Sequence, residues 1–361
     1  MKYDVVTIGD AFEDVFIRPA EMKVSNAPGV VSGKIMIFEL GEKIAIEEIA
    51  YDIGGSAANI SVGLARLGLI TSVITAVGKD SPGDKILNRL AEEDVDTTYV
   101  KSDAEENSNF SVVINTKDGE RTIFAYHGSH HNKEYKIKKS INSRCYFLAP
   151  IKEESKMIEA DVVASARENG ALIAWNPGSA QIKEGANHHR EMLKNTSFLF
   201  LNKEEGIKLI NLPVKPNDEE IMRRLASFGP KIVVLTKGKD GAKAYDGRVF
   251  YKIDIIKDAK RIDATGAGDS FACGFLGKIL LEDFDQKEPS KGIGSSRRSL
   301  EPDLLRTTLS YNKEVVSDAL KYGIINSTSV VGEIGAQKGL LTLNQIEKEF
   351  GKHTHLNAEV Y

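Results

Sequence analysis

Four short runs are apolar, or nearly so, at both odd and even positions: Val5-Val6-Thr7-Ile8, Ile173-Ala174-Trp175, Phe198-Leu199-Phe200-Leu201 and Ile232-Val233-Val234-Leu235. A strand with one wet face alternates apolar and polar residues, because successive side chains point to opposite faces. Runs apolar on both parities therefore predict strands covered on both sides, as in a parallel sheet whose crossovers are helices. The chain supplies those helices. Ile60, Leu64 and Leu67 keep helical spacing before Gly68, Ile86, Leu87 and Leu90 form a second stripe, and Phe271, Phe275 and Ile279 a third, with Ala272, Leu276 and Leu280 beside them. The expected fold class is α/β, a three-layer α/β/α arrangement around a mostly parallel central sheet. The length of 361 residues, 41% of them hydrophobic, suits one large domain over 1–361.

Two stretches depart from this pattern. Residues 15–50 are short strand-like runs broken by Pro19, Pro28, Gly29, Gly33 and Gly41. Residues 107–127 repeat the theme, with Asp118-Gly119 between two β-rich runs as a hairpin signal. A small separate β-sheet is expected from them. A third stretch, 283–312, holds Asp, Lys, Gly, Ser and the pair Arg297-Arg298 with little periodicity, and reads as a surface insertion after a helix of about 14 residues starting at 268.

A net charge of −4 gives no general reason to expect nucleic-acid binding. No apolar run approaches the roughly 18 residues of a membrane span. The opening Met1-Lys2-Tyr3-Asp4 does not look like a signal peptide, and two cysteines, Cys145 and Cys273, form no CxxC pair. A reduced, cytoplasmic protein is expected. His127, His130 and His131, and likewise His188-His189, read as ordinary histidines rather than metal ligands.

The chemistry concentrates at Asp263-Ala264-Thr265-Gly266-Ala267-Gly268-Asp269-Ser270-Phe271. A glycine-rich turn opens the third helix, where unpaired N–H groups and the helix dipole favour an anion. Asp269 is out of place in a site that only binds anions. It makes sense as a base that takes a proton from a hydroxyl attacking a phosphate. A dinucleotide fingerprint would need glycine at position 271, which is Phe, and Gly78-Lys79-Asp80-Ser81-Pro82-Gly83-Asp84-Lys85 lacks the Lys-Ser/Thr of a Walker loop.

The nine residues 263–271 resemble the second signature of the ribokinase-like (PfkB) family of carbohydrate and nucleoside kinases, and Gly54-Gly55-Ser56-Ala57-Ala58-Asn59 resembles the first, G-G-x-x-x-N. The resemblance implies an ATP-dependent phosphotransferase with an alcohol group as acceptor. It makes Gly266, Ala267 and Gly268 the anion hole, Asp269 the catalytic base, and Asp14, Gly54, Gly55 and Asn59 substrate contacts. It implies that ATP lies along Thr236, Gly238, Thr265, Gly266 and Gly268, with Tyr322 to Ala336 walling the adenine. Asn202-Lys203-Glu204-Glu205 resembles the family's N-x-x-E motif, whose Asn202 and Glu205 act on Mg2+ through water. Asp263 and Thr265 match positions where some members bind K+. The segments at about 12–50 and 107–128 become a lid that keeps water from the phosphoryl group, and a homodimer through that lid is a further expectation.

Ser56 stands where members acting on phosphosugars often carry lysine, so an unphosphorylated sugar is the expected substrate. A nucleoside is the alternative, with Phe12, Phe16, Phe110 and Phe124 available to stack a base; a catalytically inactive binding protein is a third reading. Asn176 reads equally as a ligand contact or a turn cap.

Overall fold

The computed structural model describes residues 2–30, 33–116, 120–128, 137, 141–151, 155–211, 216–285 and 312–361. The strands are β1 (Lys2–Ile8), β2 (Phe12–Pro19), β3 (Lys23–Asn26), β4 (Lys34–Ile37), β5 (Ile46–Gly54), β6 (Thr71–Ile74), β7 (Ala76–Gly78), β8 (Lys101–Asp103), β9 (Phe110–Asn115), β10 (Arg121–Tyr126), β11 (Asn142–Leu148), β12 (Leu172–Trp175), β13 (Phe198–Asn202), β14 (Ile232–Thr236), β15 (Ala242–Tyr245), β16 (Phe250–Ile253) and β17 (Glu359–Val360). The helices are α1 (Ser56–Arg66), α2 (Ser81–Glu92), α3 (Ser155–Asn169), α4 (Ser179–Glu184), α5 (Arg190–Asn195), α6 (Lys203–Ile210), α7 (Asp218–Ala226), α8 (Ala267–Asp285), α9 (Lys313–Val331) and α10 (Leu343–Lys352).

Among the described residues, nine strands form one sheet in the order β17-β16-β15-β14-β13-β12-β11-β1-β6. From β6 to β14 every pairing is parallel, and β15 to β17 add an antiparallel edge. The doubly apolar strands behave as their sequence demands. Phe198, Phe200, Ile232 and Val234 join one core with α1, α8 and α9. Leu199, Leu201, Val233 and Leu235 join the other, with α3 to α7. The three layers follow directly.

Two features of this sheet position the site. The parallel strands all end at one edge, so Gly9, Asn176, Asn202 and Thr236 line up there. The strand order also reverses at β1, with β6 on one side and β11 on the other, which is where open α/β sheets make a crevice. Over that edge lies a separate four-stranded sheet, β10-β9-β2-β5. It pairs Asp14 with Asp52 on one side and Ser111 on the other, so these three side chains share a face. The Asp118-Gly119 turn lies outside the described residues, although the antiparallel pairing of β9 with β10 is present on either side of it.

Three expectations need correction. Helix α8 has 19 residues rather than about 14: it runs from Ala267 to Asp285, past Leu280, the last residue of its buried stripe. Asn176 is a structural bridge: its amide donates to the carbonyl of Phe200 at 3.0 Å, tying β12 to β13. Phe16 is buried, and Phe110 and Phe124 fall on the face of the small sheet opposite Asp14, so of the four aromatics only Phe12 shares that face with surface to offer. Positions 286–311, including Arg297-Arg298, lie outside the described residues.

Helices α8 and α9 approach closely because both carry glycine at the contact. A Cβ on Gly274 would lie 2.5 Å from the carbonyl oxygen of Tyr322, and backbone there cannot step aside cheaply. Gly274→Ala is expected to cost about 1–3 kcal/mol by overpacking. Urea unfolding should show a lower midpoint at unchanged slope; an unchanged midpoint would refute the close-packing account.

Candidate active site

The turn before α8 is built by Asp263. One of its carboxylate oxygens accepts the N–H of Thr265 at 2.9 Å and the hydroxyl of Thr265 at 2.7 Å, and the other accepts the N–H of Gly335 at 3.2 Å. Gly266 then takes φ +73°, and a Cβ there would lie 2.6 Å from that of Ala336. Both facts require glycine. Gly268 is the opposite case: a Cβ on it would meet nothing within 4 Å. A side chain there would point into open space, at a helix start where N–H groups lack intrahelical acceptors. That is the form of an anion cradle.

Asp269 stands in the first turn of α8. Its carboxylate accepts the side-chain amide of Asn59 at 2.9 Å, from α1. Burial pushes its pKa up, and hydrogen bonds from Asn59 and Ser56 pull it back toward the ionised form. Asn59 in turn accepts the side-chain N–H of Gln337 at 3.3 Å.

The Gly54-Gly55 pair has a steric cause. A Cβ on Gly54 would lie 1.9 Å from an Asp14 carboxylate oxygen, and one on Gly55 2.5 Å from the carbonyl of Asp10. The strand therefore passes tightly over Asp14 and delivers α1 beside it. Asp14 accepts the hydroxyl of Ser111 at 2.5 Å. Its pKa is pushed up to about 6, first by burial, with Ser111 opposing and the charges of Asp52, Asp263 and Glu13 adding. Glu13, on the other face of β2, is ion-paired with Lys85 of α2 and so ties the small sheet to the body.

On the other side, Asn202 and Glu205 cap α6 reciprocally: Asn202 Oδ1 accepts the N–H of Glu205 at 2.9 Å, and Glu205 Oε2 accepts the N–H of Asn202 at 2.8 Å. Thr236 is the register partner of Asn202, and Gly238 opens a short 3₁₀ turn directly beyond it. The structure thus brings Asp14, Gly54, Gly55, Asn59 and Asp269 around one space, and places Asn202, Glu205, Thr236 and Gly238 along the neighbouring strand ends.

Three members of the site escaped the sequence reading: Asp52, Ser111 and Gln337. Asp52 was accessible in principle, since strand alternation puts it on the face of Gly54. Ser111 and Gln337 depend on pairings over 97 and 278 residues of chain, and nothing local marks them.

Comparison with known proteins agrees with this geometry. The model of the pfkB family carbohydrate kinases matches residues 34–288. The chain is 27% identical over 252 residues to an Arabidopsis thaliana protein named probable fructokinase-6, chloroplastic, covering 64% of this chain and 64% of that one. It is 28% identical over 224 residues to a nucleoside kinase of Methanocaldococcus jannaschii, covering 62% of this chain and 70% of that one. Among solved structures, the ribokinase of Arabidopsis thaliana complexed with ribose and ATP superposes with a TM-score of 0.72 at 20% identity, over 97% of this chain and 99% of that one. That last likeness speaks for the fold.

The raised pKa of Asp14 has a testable sign. A carboxyl whose folded pKa is raised favours folding while protonated. Its contribution is full below about pH 4 and lost as pH rises through about 6. At pH 8 the charged form costs up to about 3 kcal/mol. Asp14→Asn should therefore stabilise the protein at pH 8 and have little effect near pH 4, read by denaturant melts at both values. Equal effects at the two pH values would contradict the assignment.

Proposed function

Because the chain belongs to the pfkB family of carbohydrate kinases, we propose that it transfers the γ-phosphoryl group of ATP to a hydroxymethyl group of an unphosphorylated sugar, with Asp269 as general base. The observation that carries the reading is the position of Asp269 in the first turn of α8, one residue past the open cradle at Gly268 and hydrogen-bonded by Asn59. In this reading Asp269 takes the hydroxyl proton as the oxygen attacks phosphorus in line. The N–H groups at Gly266, Ala267 and Gly268 receive the charge that develops on the phosphoryl oxygens. Asp14, Gly54, Gly55 and Asn59 hold the sugar hydroxyls. ATP runs along Thr236, Gly238, Thr265, Gly266 and Gly268.

The donor set fits magnesium held through water. The α6 cap uses one lone pair of Asn202 Oδ1 and Glu205 Oε2, which leaves Glu205 Oε1 and the second lone pair of Asn202 Oδ1 to accept from metal-bound water. Bound there, the ion would neutralise polyphosphate charge. A potassium site at Asp263 and Thr265 fits less well, because both Asp263 oxygens already accept donors from Thr265 and Gly335. Turnover in potassium against sodium separates the two cases.

Two observations support an unphosphorylated acceptor: Ser56 follows the Gly-Gly pair, and the Asp14–Asp52 face is acidic. A nucleoside is the second reading. The edge-to-face pair of Phe12 and His127, 5.2 Å apart on the Asp14 side, offers a flat surface to a base. An inactive binding protein is disfavoured by the intact Gly266, Gly268 and Asp269.

Turnover is tested by ADP release from MgATP with a panel of pentoses, hexoses, keto-deoxy acids and nucleosides. Asp269→Asn should keep the fold and lose at least ~10²-fold in rate. Near-normal turnover in that variant would remove the base assignment.

We also propose that two copies pair through the face of the small sheet opposite Asp14, where Ile49, Tyr51, Phe124 and Tyr126 stay exposed beyond the end that Lys85 of α2 holds. Sedimentation should show a dimer that Tyr51→Glu with Phe124→Glu converts to monomer; a monomeric wild type would end the idea.

A further inference from the structure

Gln337 is fully buried, and three separate elements hold it. Its N–H donates to Asp52 of β5 at 3.3 Å. Its carbonyl accepts from the guanidinium of Arg66 of α1 at 2.8 Å, a group that also pairs with Glu93. Its side-chain N–H donates to Asn59 Oδ1 at 3.3 Å. The remaining side-chain oxygen, Oε1, is buried without a hydrogen-bond partner. A buried amide that leaves its acceptor unsatisfied is retained against a desolvation cost, so its donor carries the function.

That donor ends a short chain. An ionised carboxylate only accepts, so Asn59 must turn its Nδ2 to Asp269. Its Oδ1 then faces Gln337 and needs a donor there. An amide supplies one; a carboxylate in the same place would not.

We infer that Gln337 is a positioning residue: it fixes the Asn59 amide so that Nδ2 points at Asp269, and thereby holds Asp269 in the proton-accepting form. The inference rests on the reading of Asp269 as base. Burial opposes the charge on Asp269, and the Asn59 amide, with a smaller contribution from Ser56, favours it. On the helix of Asp269 the buried Cys273 thiol lies one turn on, and the Lys278–Glu282 ion pair lies further along. The neighbouring elements bring Asp14, Asp52 and Glu13 from the small sheet and Asp263 from the turn. Arg66 of α1 is committed to Glu93 and to the carbonyls of Gln337 and Leu340. No cation among these substitutes for the Asn59 donor.

Gln337→Glu tests this with little change of shape. A carboxylate at 337 repels Asn59 Oδ1, turns the amide over and presents oxygen to Asp269. Gln337→Met removes the donor without adding charge. The acid limb of kcat/KM for the acceptor, at saturating MgATP, should move up by roughly one pH unit or more in Gln337→Glu and by less in Gln337→Met. A ¹³C-carboxyl titration reads the same shift without turnover, with Asp269→Asn assigning the resonance. A purely structural role would lower melting temperature and rate alike at every pH and leave the limb in place. Folded variants with unmoved limb and unmoved carboxyl titration overturn the inference while the wild-type kinase stands. Absence of turnover in the wild type overturns the functional reading instead, and the carboxyl titration still decides whether Gln337 tunes Asp269.

Discussion

The site is organised by one electrostatic problem. It needs carboxylates in a protein interior, and the interior disfavours their charge. Asp14, Asp52 and Asp269 are each pushed toward the neutral form, and in each case burial is the largest cause. Among the described residues none of the three forms a salt bridge, although the charges of Arg89 and Arg66 favour the ionised form of Asp52. Each instead receives one or two neutral donors: Ser111 for Asp14, the N–H groups of Gln337 and Ile53 for Asp52, Asn59 and Ser56 for Asp269. Neutral donors hold a carboxylate ionised without quenching its affinity for a proton, which a salt bridge would lower sharply. The base and hydroxyl-binding roles proposed for Asp269 and Asp14 both need that intermediate state.

The fold meets this requirement by closing chain segments of very different origin over one sheet edge. The route from β1 through β2 and β5 to α1 brings Asp14 and Asn59 to the same place within the first 60 residues. The α8 turn and the 335–337 loop arrive from the other end of the chain. Asp263 joins these last two through Gly335, and Gln337 joins them to the small sheet and α1. The cost is local instability at charged, desolvated positions. Two cores on either side of the sheet, each filled by one parity of the doubly apolar strands, supply the offsetting burial.

What could be read from the sequence follows the range of the interactions involved. Strand runs, helical stripes and the glycine turn before Asp269 are set by neighbours in the chain, and the layer architecture followed from them. The Gly54-Gly55 pair was visible, but its steric reason required knowing that Asp14 and Asp10 lie underneath. The aromatic set failed where register decided: Phe124 pairs opposite Val112, one residue out of phase with the Ser111–Asp14 pair, and so turns outward. A one-residue difference in strand phase reverses the face, and local composition carries no record of it. The length of α8 failed for a different reason, since the helix continues to Asp285 after its buried stripe ends at Leu280, and apolar spacing does not mark that last turn.

The N-x-x-E segment shows why a short motif can be ambiguous for physical reasons. Asn at a helix start followed three residues later by Glu is a capping box, and the structure forms one between Asn202 and Glu205. The same two residue types at the end of a parallel strand are also suited to hydrated magnesium. The two uses do not compete for the same atoms. The cap takes one lone pair of Asn202 Oδ1 and Glu205 Oε2, while the second lone pair of that amide oxygen and Glu205 Oε1 are not needed for it. Capping also fixes both rotamers before any ligand arrives, so the ordering cost of a water-mediated ion site is already met by the helix. Burial raises the pKa of Glu205, and a cation held nearby through water would favour its ionised form. In the magnesium role proposed for Asn202 and Glu205, the capping role comes first and prepares the second.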